Sequence, residues 1–174
     1  MKKNTVQHSF TLIELMLAMV ILSILSVLLI GNFNTTMKRG RDASRKNDLA
    51  QFQKALELYY ENNRSYPTFD FVTNANKKLC DTVTCDPSET VYIVKVASDP
   101  STNYVYKYSP EPTPSGGGPS SYYYLYTYLE NDLDRNNGVN IKGFTTGAKC
   151  NVANTAICKY YISSSNAPQL TPVP

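Results

Sequence analysis

Tryptophan is absent and histidine occurs once, as His8, just ahead of a long apolar run. A cut where that run begins leaves no histidine at all, which excludes Ser-His-Asp and Cys-His catalysis. No pair of carboxylates stands out from the acids of turns and surface, so the chain is not read as an enzyme. Cys-x-x-Cys spacing is missing as well. Cys80, Cys85, Cys150 and Cys158 form an even set outside the apolar run, and they suggest two disulfides in an oxidising compartment, with a zinc site as the rival reading. Neither sign of charge dominates: 17 Lys and Arg against 14 Asp and Glu give +3, of which Lys2 and Lys3 supply two. There is no electrostatic case for a dedicated nucleic-acid site, although weak, patch-driven contact stays open.

Between Phe10 and Ile30 the only charge is Glu14. At the helical rise this stretch measures about 31 Å against a bilayer core of about 30 Å, so residues 10–33 read as a membrane-spanning helix. An ionised carboxylate inside such a helix costs ~2.5–3.5 kcal/mol on insertion scales and calls for a cation, which the run does not contain. Lys2 and Lys3 in a polar leader imitate a secretory signal, but about twenty apolar residues is long for one, and Gly31-Asn32-Phe33-Asn34-Thr35-Thr36 offers no convincing cleavage site after them. Cleavage ahead of the run, between Ser9 and Phe10, removes the leader 1–9. It places a new amine on Phe10, one helical turn from Glu14.

Phe10-Thr11-Leu12-Ile13-Glu14 resembles, residue for residue, the class III signal of type IV pilins and of the pseudopilins of type II secretion, in which Gly commonly precedes Phe. Ser9 departs from that Gly but is still small. The resemblance implies that a membrane aspartyl prepilin peptidase cuts before Phe10 and methylates its amine. It also implies that Glu14 pairs with the amine of a neighbouring subunit as a filament grows. It extends through Ala43, Asp48-Leu49, Ala55-Leu56, Tyr59-Tyr60, Asn62-Asn63 and Tyr66-Pro67, similar to the outer helix of major pseudopilins, and is only architectural beyond Pro67. The partners implied are further copies of the chain, the peptidase, and an inner-membrane assembly platform with its ATPase.

Residues 34–65 continue as an amphipathic helix, with Ala43, Leu49, Phe52, Leu56 and Tyr59 on one face. Lys38, Arg39, Arg41, Arg45 and Lys46, with Asp42 and Asp48 among them, read as a solvated face touching lipid head groups, or else as filament contacts. Counted alone they put this end in the cytoplasm; the cysteines and the resemblance put it outside. Gly31 and Gly40 are possible soft points.

Tyr66-Pro67 ends the helical pattern. Residues 66–165 then read as an extracellular β domain with strands over Val91–Val96, Tyr104–Tyr108 and Ser121–Glu130, weak strand character at Cys158–Ile162, and a long Pro- and Gly-rich hairpin loop from Pro110 to Pro119. Residues 166–174 read as a disordered tail. The expected fold is α+β and pilin-like: a long N-terminal helix whose outer half packs on an antiparallel sheet of three or four strands. Short loops favour Cys80 with Cys85 and Cys150 with Cys158. Of the 14 tyrosines, Tyr104, Tyr106 and Tyr108 share one strand face and Tyr122, Tyr124, Tyr126 and Tyr128 another. Rings packed on the helix, or an exposed adhesive surface, are the two readings. Asp132, Asp134 and Asn136 begin like a calcium loop, but Gly138 falls one place late and no Glu closes it, so a polar turn is favoured, calcium is kept as an alternative, and no other cofactor is expected.

The reading is a structural pilin of a type IV pilus-like filament, held in the cytoplasmic membrane and then exported into a surface fibre. The alternatives are a major pseudopilin of a type II secretion system and a monomeric, membrane-anchored extracellular binding domain.

Overall fold

The structure, a computed structural model, describes residues 10–73, 77–111, 119–134, 139–140, 143–144 and 147–171, and no side chains for 28–32. Among the described residues there is one helix, α1, Leu12–Asn63, which includes Gly31 and Gly40. It opens where Thr11 and Glu14 satisfy its first amides, and it closes at Arg64, which adopts φ 57° and donates its N–H to Tyr60 O at 2.7 Å. Tyr66-Pro67 then forces the chain into extended geometry.

The chain divides into two compact units, Met1–Lys38 and Arg39–Pro174. In the second, the outer part of α1 packs on five short strands: β1 (Leu79–Cys80), β2 (Val91–Ile93), β3 (Lys107–Glu111), β4 (Tyr122–Thr127) and β5 (Tyr160–Ser163). The fold is α+β and pilin-like, as expected, but the expected single sheet is two. β1 and β2 form an antiparallel pair with a bulge, and β3-β4-β5 form an antiparallel sheet of three. Two strands, β2 and β4, are also shorter than expected, and β3 is displaced, starting at Lys107 instead of Tyr104 and running on through Pro110 and Glu111 of the expected loop. β2 stops because the chain bends at Val94-Lys95, which lets Val96 turn into the core and donate its N–H to Lys77 O. β4 stops before Tyr128 because Leu129 is buried and the next two amides turn toward the carboxylate of Asp42. Pro110 sits on β3, an edge strand, where a missing N–H costs no ladder bond. Residues 112–118 of the hairpin loop lie outside the described residues.

Leu49, Phe52, Ala55, Leu56 and Tyr59 of α1 bury against Phe71, Tyr106, Tyr108, Tyr123 and Leu125. Ala43 does not belong to this stripe: it is exposed, and Asp42 and Arg45 occupy the buried face at that level. Register explains the tyrosines. Tyr108 faces Leu125 across β3 and β4, so Tyr106 and Tyr108 look toward the helix together with Tyr123 and Leu125. Tyr122, Tyr124 and Tyr126 look the other way, neither onto the helix nor into water, and are covered by Phe144, Tyr161 and Ala167.

That cover corrects the reading of the C-terminus. Tyr124 Oη donates to Pro168 O at 2.6 Å, Tyr161 Oη to Gln169 Oε1 at 2.9 Å and Asn166 Nδ2 to Ser121 O at 2.8 Å, so residues 166–171 form a strap across the sheet. Prolines deny the strap regular structure but not side-chain and carbonyl partners. Cys80 is bonded to Cys85 and Cys150 to Cys158, with Cα atoms 5.3 and 5.0 Å apart.

Leu56 is fully buried between α1 and the sheet. Leu56→Ala is expected to lower unfolding stability by about 2–5 kcal/mol, and Ala43→Ser, on the exposed face, to change it by under about 0.5 kcal/mol. Equilibrium urea denaturation of the detergent-solubilised chain measures both, and equal effects would mean the helix is rotated from the orientation described.

Candidate assembly site

Phe10 is 79% exposed and α1 starts two residues later. Glu14 lies on the first turn. Its carboxylate accepts from Thr11 N–H at 2.9 Å and from Thr11 Oγ1 at 2.7 Å, while its own N–H donates to Thr11 Oγ1 at 3.3 Å. This is a reciprocal capping box, in which Thr and the Glu three residues on satisfy each other's orphan amides. The Thr-x-x-Glu spacing ahead of an apolar run is the local sequence signal of this box, separate from the charge of Glu14. The box holds the lone carboxylate at the helix N-terminus, where the helix dipole favours negative charge.

Glu14 apart, the helix has no charged residue between Leu12 and Val27 and no polar side there. Leu12, Ile13, Leu15, Met16, Leu17, Met19, Val20, Ile21, Leu22, Ile24, Leu25 and Val27 are all exposed. Even the two serines present little polarity, because Ser23 Oγ donates to Met19 O at 2.7 Å and Ser26 Oγ to Leu22 O at 2.8 Å. A helix apolar all round needs an apolar surrounding, whether lipid or other helices. Among the described residues no helix is long and apolar enough to cross a membrane; described side chains of this run stop at Val27 and resume at Phe33. Ser9 also lies outside the described residues.

The basic cluster departs most from the sequence reading. Lys38 and Arg39 are exposed, but Arg45 has no exposed surface, and it is bound by three carboxylates. Its Nη1 meets Asp42 Oδ1 at 2.7 Å and Glu130 Oε1 at 2.9 Å, and its Nε and Nη2 meet the two oxygens of Asp99, each at 2.8 Å. Its plane lies over the Tyr104 ring at 5.2 Å, Tyr104 stacks on Tyr128 at 4.1 Å, and Lys159 covers Tyr128 at 4.4 Å. Arg41 pairs with Glu130 at 2.5 Å and Lys46 with Asp134 at 2.5 Å. Arg45 is therefore a buried tie within the subunit and not part of a solvated surface, while Arg41 and Lys46 stay partly exposed and pair with acids of the same subunit. Only the Asp42 and Arg45 spacing, three residues apart on a helix, was legible. Asp99 lies 54 residues from Arg45, and no local pattern joins them.

Asp42 contributes twice, since its carboxylate also accepts the N–H groups of Glu130 and Asn131, at 3.0 and 2.8 Å. Hydrogen bonds from Arg41 pull the Glu130 carboxyl down to about 2 despite partial burial, with Arg45 adding to the effect. Burial alone would lower the Arg45 pKa, but bonds to Asp99, Glu130 and Asp42 hold it above the ordinary value.

The acids of the calcium alternative diverge. Asp132 pairs with Lys159 at 2.6 Å and Asp134 with Lys46, while Asn136 lies outside the described residues. Among the described residues no group of three or more metal-ligating side chains assembles. Cys80–Cys85 closes a loop beside β1, and Cys150–Cys158 lies under the covered tyrosine face.

Arg45→Met removes the cation and leaves its carboxylates buried, so a loss of about 3–5 kcal/mol is expected, and a clearly smaller loss for the more exposed, solvent-screened Arg41→Gln. Chemical denaturation of both variants checks the ranking. Glu130 has a depressed folded pKa, so its contribution is complete above its ordinary value of 4.5 and is lost as pH falls toward about 2. Thermal midpoints measured across that window are expected to fall more steeply in the wild type than in Glu130→Gln, and parallel curves would contradict the role given to this carboxylate.

Comparison with known proteins singles out the same N-terminal segment. A family model described as the prokaryotic N-terminal methylation motif matches residues 4–30. The chain is similar to the type II secretion system core protein G of Vibrio cholerae, 34% identical over 70 residues, which is 40% of this chain and 48% of that protein. It is also similar to the core protein G of Escherichia coli, 28% identical over 109 residues, or 59% of this chain and 72% of that protein. The chain thus spans 48% of the length of the first relative. No solved structure matches it.

Proposed function

We propose that this chain, which carries the prokaryotic N-terminal methylation motif, is a structural subunit of a type IV pilus-like filament. It is inserted in the cytoplasmic membrane by residues 10–33, cut between Ser9 and Phe10 by a prepilin peptidase and methylated on the Phe10 amine. An inner-membrane assembly platform and its ATPase then draw it into a surface fibre of packed apolar helices. The role is structural, not catalytic. The observation that carries this reading is a single carboxylate, Glu14, on the first turn of a helix whose stretch from Leu12 to Val27 is otherwise uncharged and exposes its apolar side chains. Apolar packing supplies attraction without register; one charge that must find one amine supplies the register. A monomeric membrane-anchored domain needs that side chain only as a helix cap, which an uncharged Gln would serve as well.

The second reading, a major pseudopilin, is favoured by the similarity to core protein G. The pilus version draws on the tyrosine-rich sheet, the two disulfides and the length beyond Pro67. The two share the same mechanism and differ in the fibre's destination, which electron microscopy of sheared surface filaments distinguishes.

In the free subunit the Glu14 carboxylate rests on Thr11, and in the fibre it turns to the methylated amine of a neighbour. Glu14→Val keeps the apolar surface and the Thr11 side of the cap, so insertion and cleavage are expected to proceed normally. The variant is expected to accumulate as processed, membrane-bound monomer with few or no filaments, partly rescued by coexpressed wild type. Immunoblots of membrane and sheared fractions read this out, and abundant regular filaments of Glu14→Val would remove Glu14 from its assembly role.

A further inference from the structure

Between α1 and the end of β5 runs an open groove of about 680 Å³, whose lining includes Gln53, Lys54, Glu57, Leu58, Glu61 and Ser163. Its base is fixed. Gln53 Nε2 donates to Ser163 O at 3.1 Å, and the hydroxyls of Tyr66 and Tyr123 donate to the Glu57 carboxylate at 3.0 and 3.1 Å. Leu58 is 57% exposed there, and Glu57 and Glu61 against Lys54 leave the groove one negative charge. On the other flank of α1, Asn62 and Asn63 donate to the Tyr92 hydroxyl, and the chain leaves β2 in the bend at Val94-Lys95. Val94 is 74% exposed and Lys95 is exposed beside it.

We propose that the Val94-Lys95 bend of one subunit docks in the α1–β5 groove of the next copy, Val94 against Leu58 and the Lys95 ammonium between Glu57 and Glu61. Two observations select a second copy of this chain as the occupant. The exposed Val94 matches the exposed Leu58, the Lys95 cation complements the net negative charge of the groove, and Lys54 disfavours a pose shifted toward the Ala50 end by like charge. The bend and the groove also lie on opposite flanks of the same helix, so the contact is heterologous: it cannot close on itself as a two-fold pair, and it repeats along a growing array. The proposal rests on the filament-subunit reading and names the outer contact that accompanies the packing of the N-terminal helices.

The test places Cys at both ends of the contact, Leu58→Cys with Val94→Cys, in the full chain expressed with its assembly machinery, followed by oxidation of sheared filaments. A reductant-sensitive ladder of multimers is expected on non-reducing gels, with each single variant staying monomeric. Filaments of the double variant that yield only monomers overturn the docking while leaving the filament reading intact, and dimers from either single variant overturn it in favour of a two-fold contact. Absence of filaments from wild type in the same cells removes both. A charge exchange gives an independent measure: Lys95→Glu and Glu61→Lys are each expected to lower sheared filament yield at least tenfold, and their combination to restore most of it. No recovery in the combined variant counts against the proposal.

Discussion

A guanidinium with no exposed surface must be neutralised at close range, and the join between α1 and the rest of its unit is built around that requirement at Arg45. Asp42 comes from the same helix, Asp99 from the segment after β2 and Glu130 from the segment after β4, so one side chain ties three parts of the chain. The Asp42 carboxylate then fixes where β4 ends by taking two backbone amides. Tyr104 and Tyr128 extend the tie through stacking to Lys159 and Asp132. The apolar stripe from Leu49 to Tyr59 supplies the area buried. The charges decide which rotation of the helix presents it.

The same helix carries a second isolated charge with the opposite logic. Arg45 is satisfied in full inside the subunit, from three directions. Among the described residues Glu14 is held by Thr11 alone, three residues away, on a segment whose described side chains from Leu12 to Val27 are otherwise uncharged. Interactions that close within the chain make a fold, and a charge held only by its own helix cap stays available to another chain. Under the proposed function the Glu14 end of α1 sets the register of the packed apolar helices, while Arg45 serves the fold of its own unit.

What the sequence disclosed, and what it hid, divides along distance in the chain. The helix, its apolar stripe and its end at Tyr66-Pro67 follow from periodicity and local sterics, and the short spacings between cysteines match the bonds present. Thr11 and Glu14 were equally legible as a capping box. The ion network was not, since Arg45 among Lys38, Arg39, Arg41 and Lys46 looks like one more surface charge until Asp99 and Glu130 arrive from far along the chain. The tyrosine faces required register, which period-two patterning leaves open, and the helix-facing set turned out to include Tyr123 and not its even-numbered neighbours. The C-terminal strap escaped because proline content forbids regular structure without forbidding hydrogen bonds to Tyr124 and Tyr161.

The central claim is that the apolar run begins at a cut that creates the partner of Glu14. Intact-mass spectrometry of subunits recovered from sheared filaments tests it most directly. The account predicts one mature species that starts at Phe10, carries one added methyl group and lacks the four hydrogens of two disulfides. A mature species that retains Met1 to Ser9, or one that begins beyond Gly31, would contradict it.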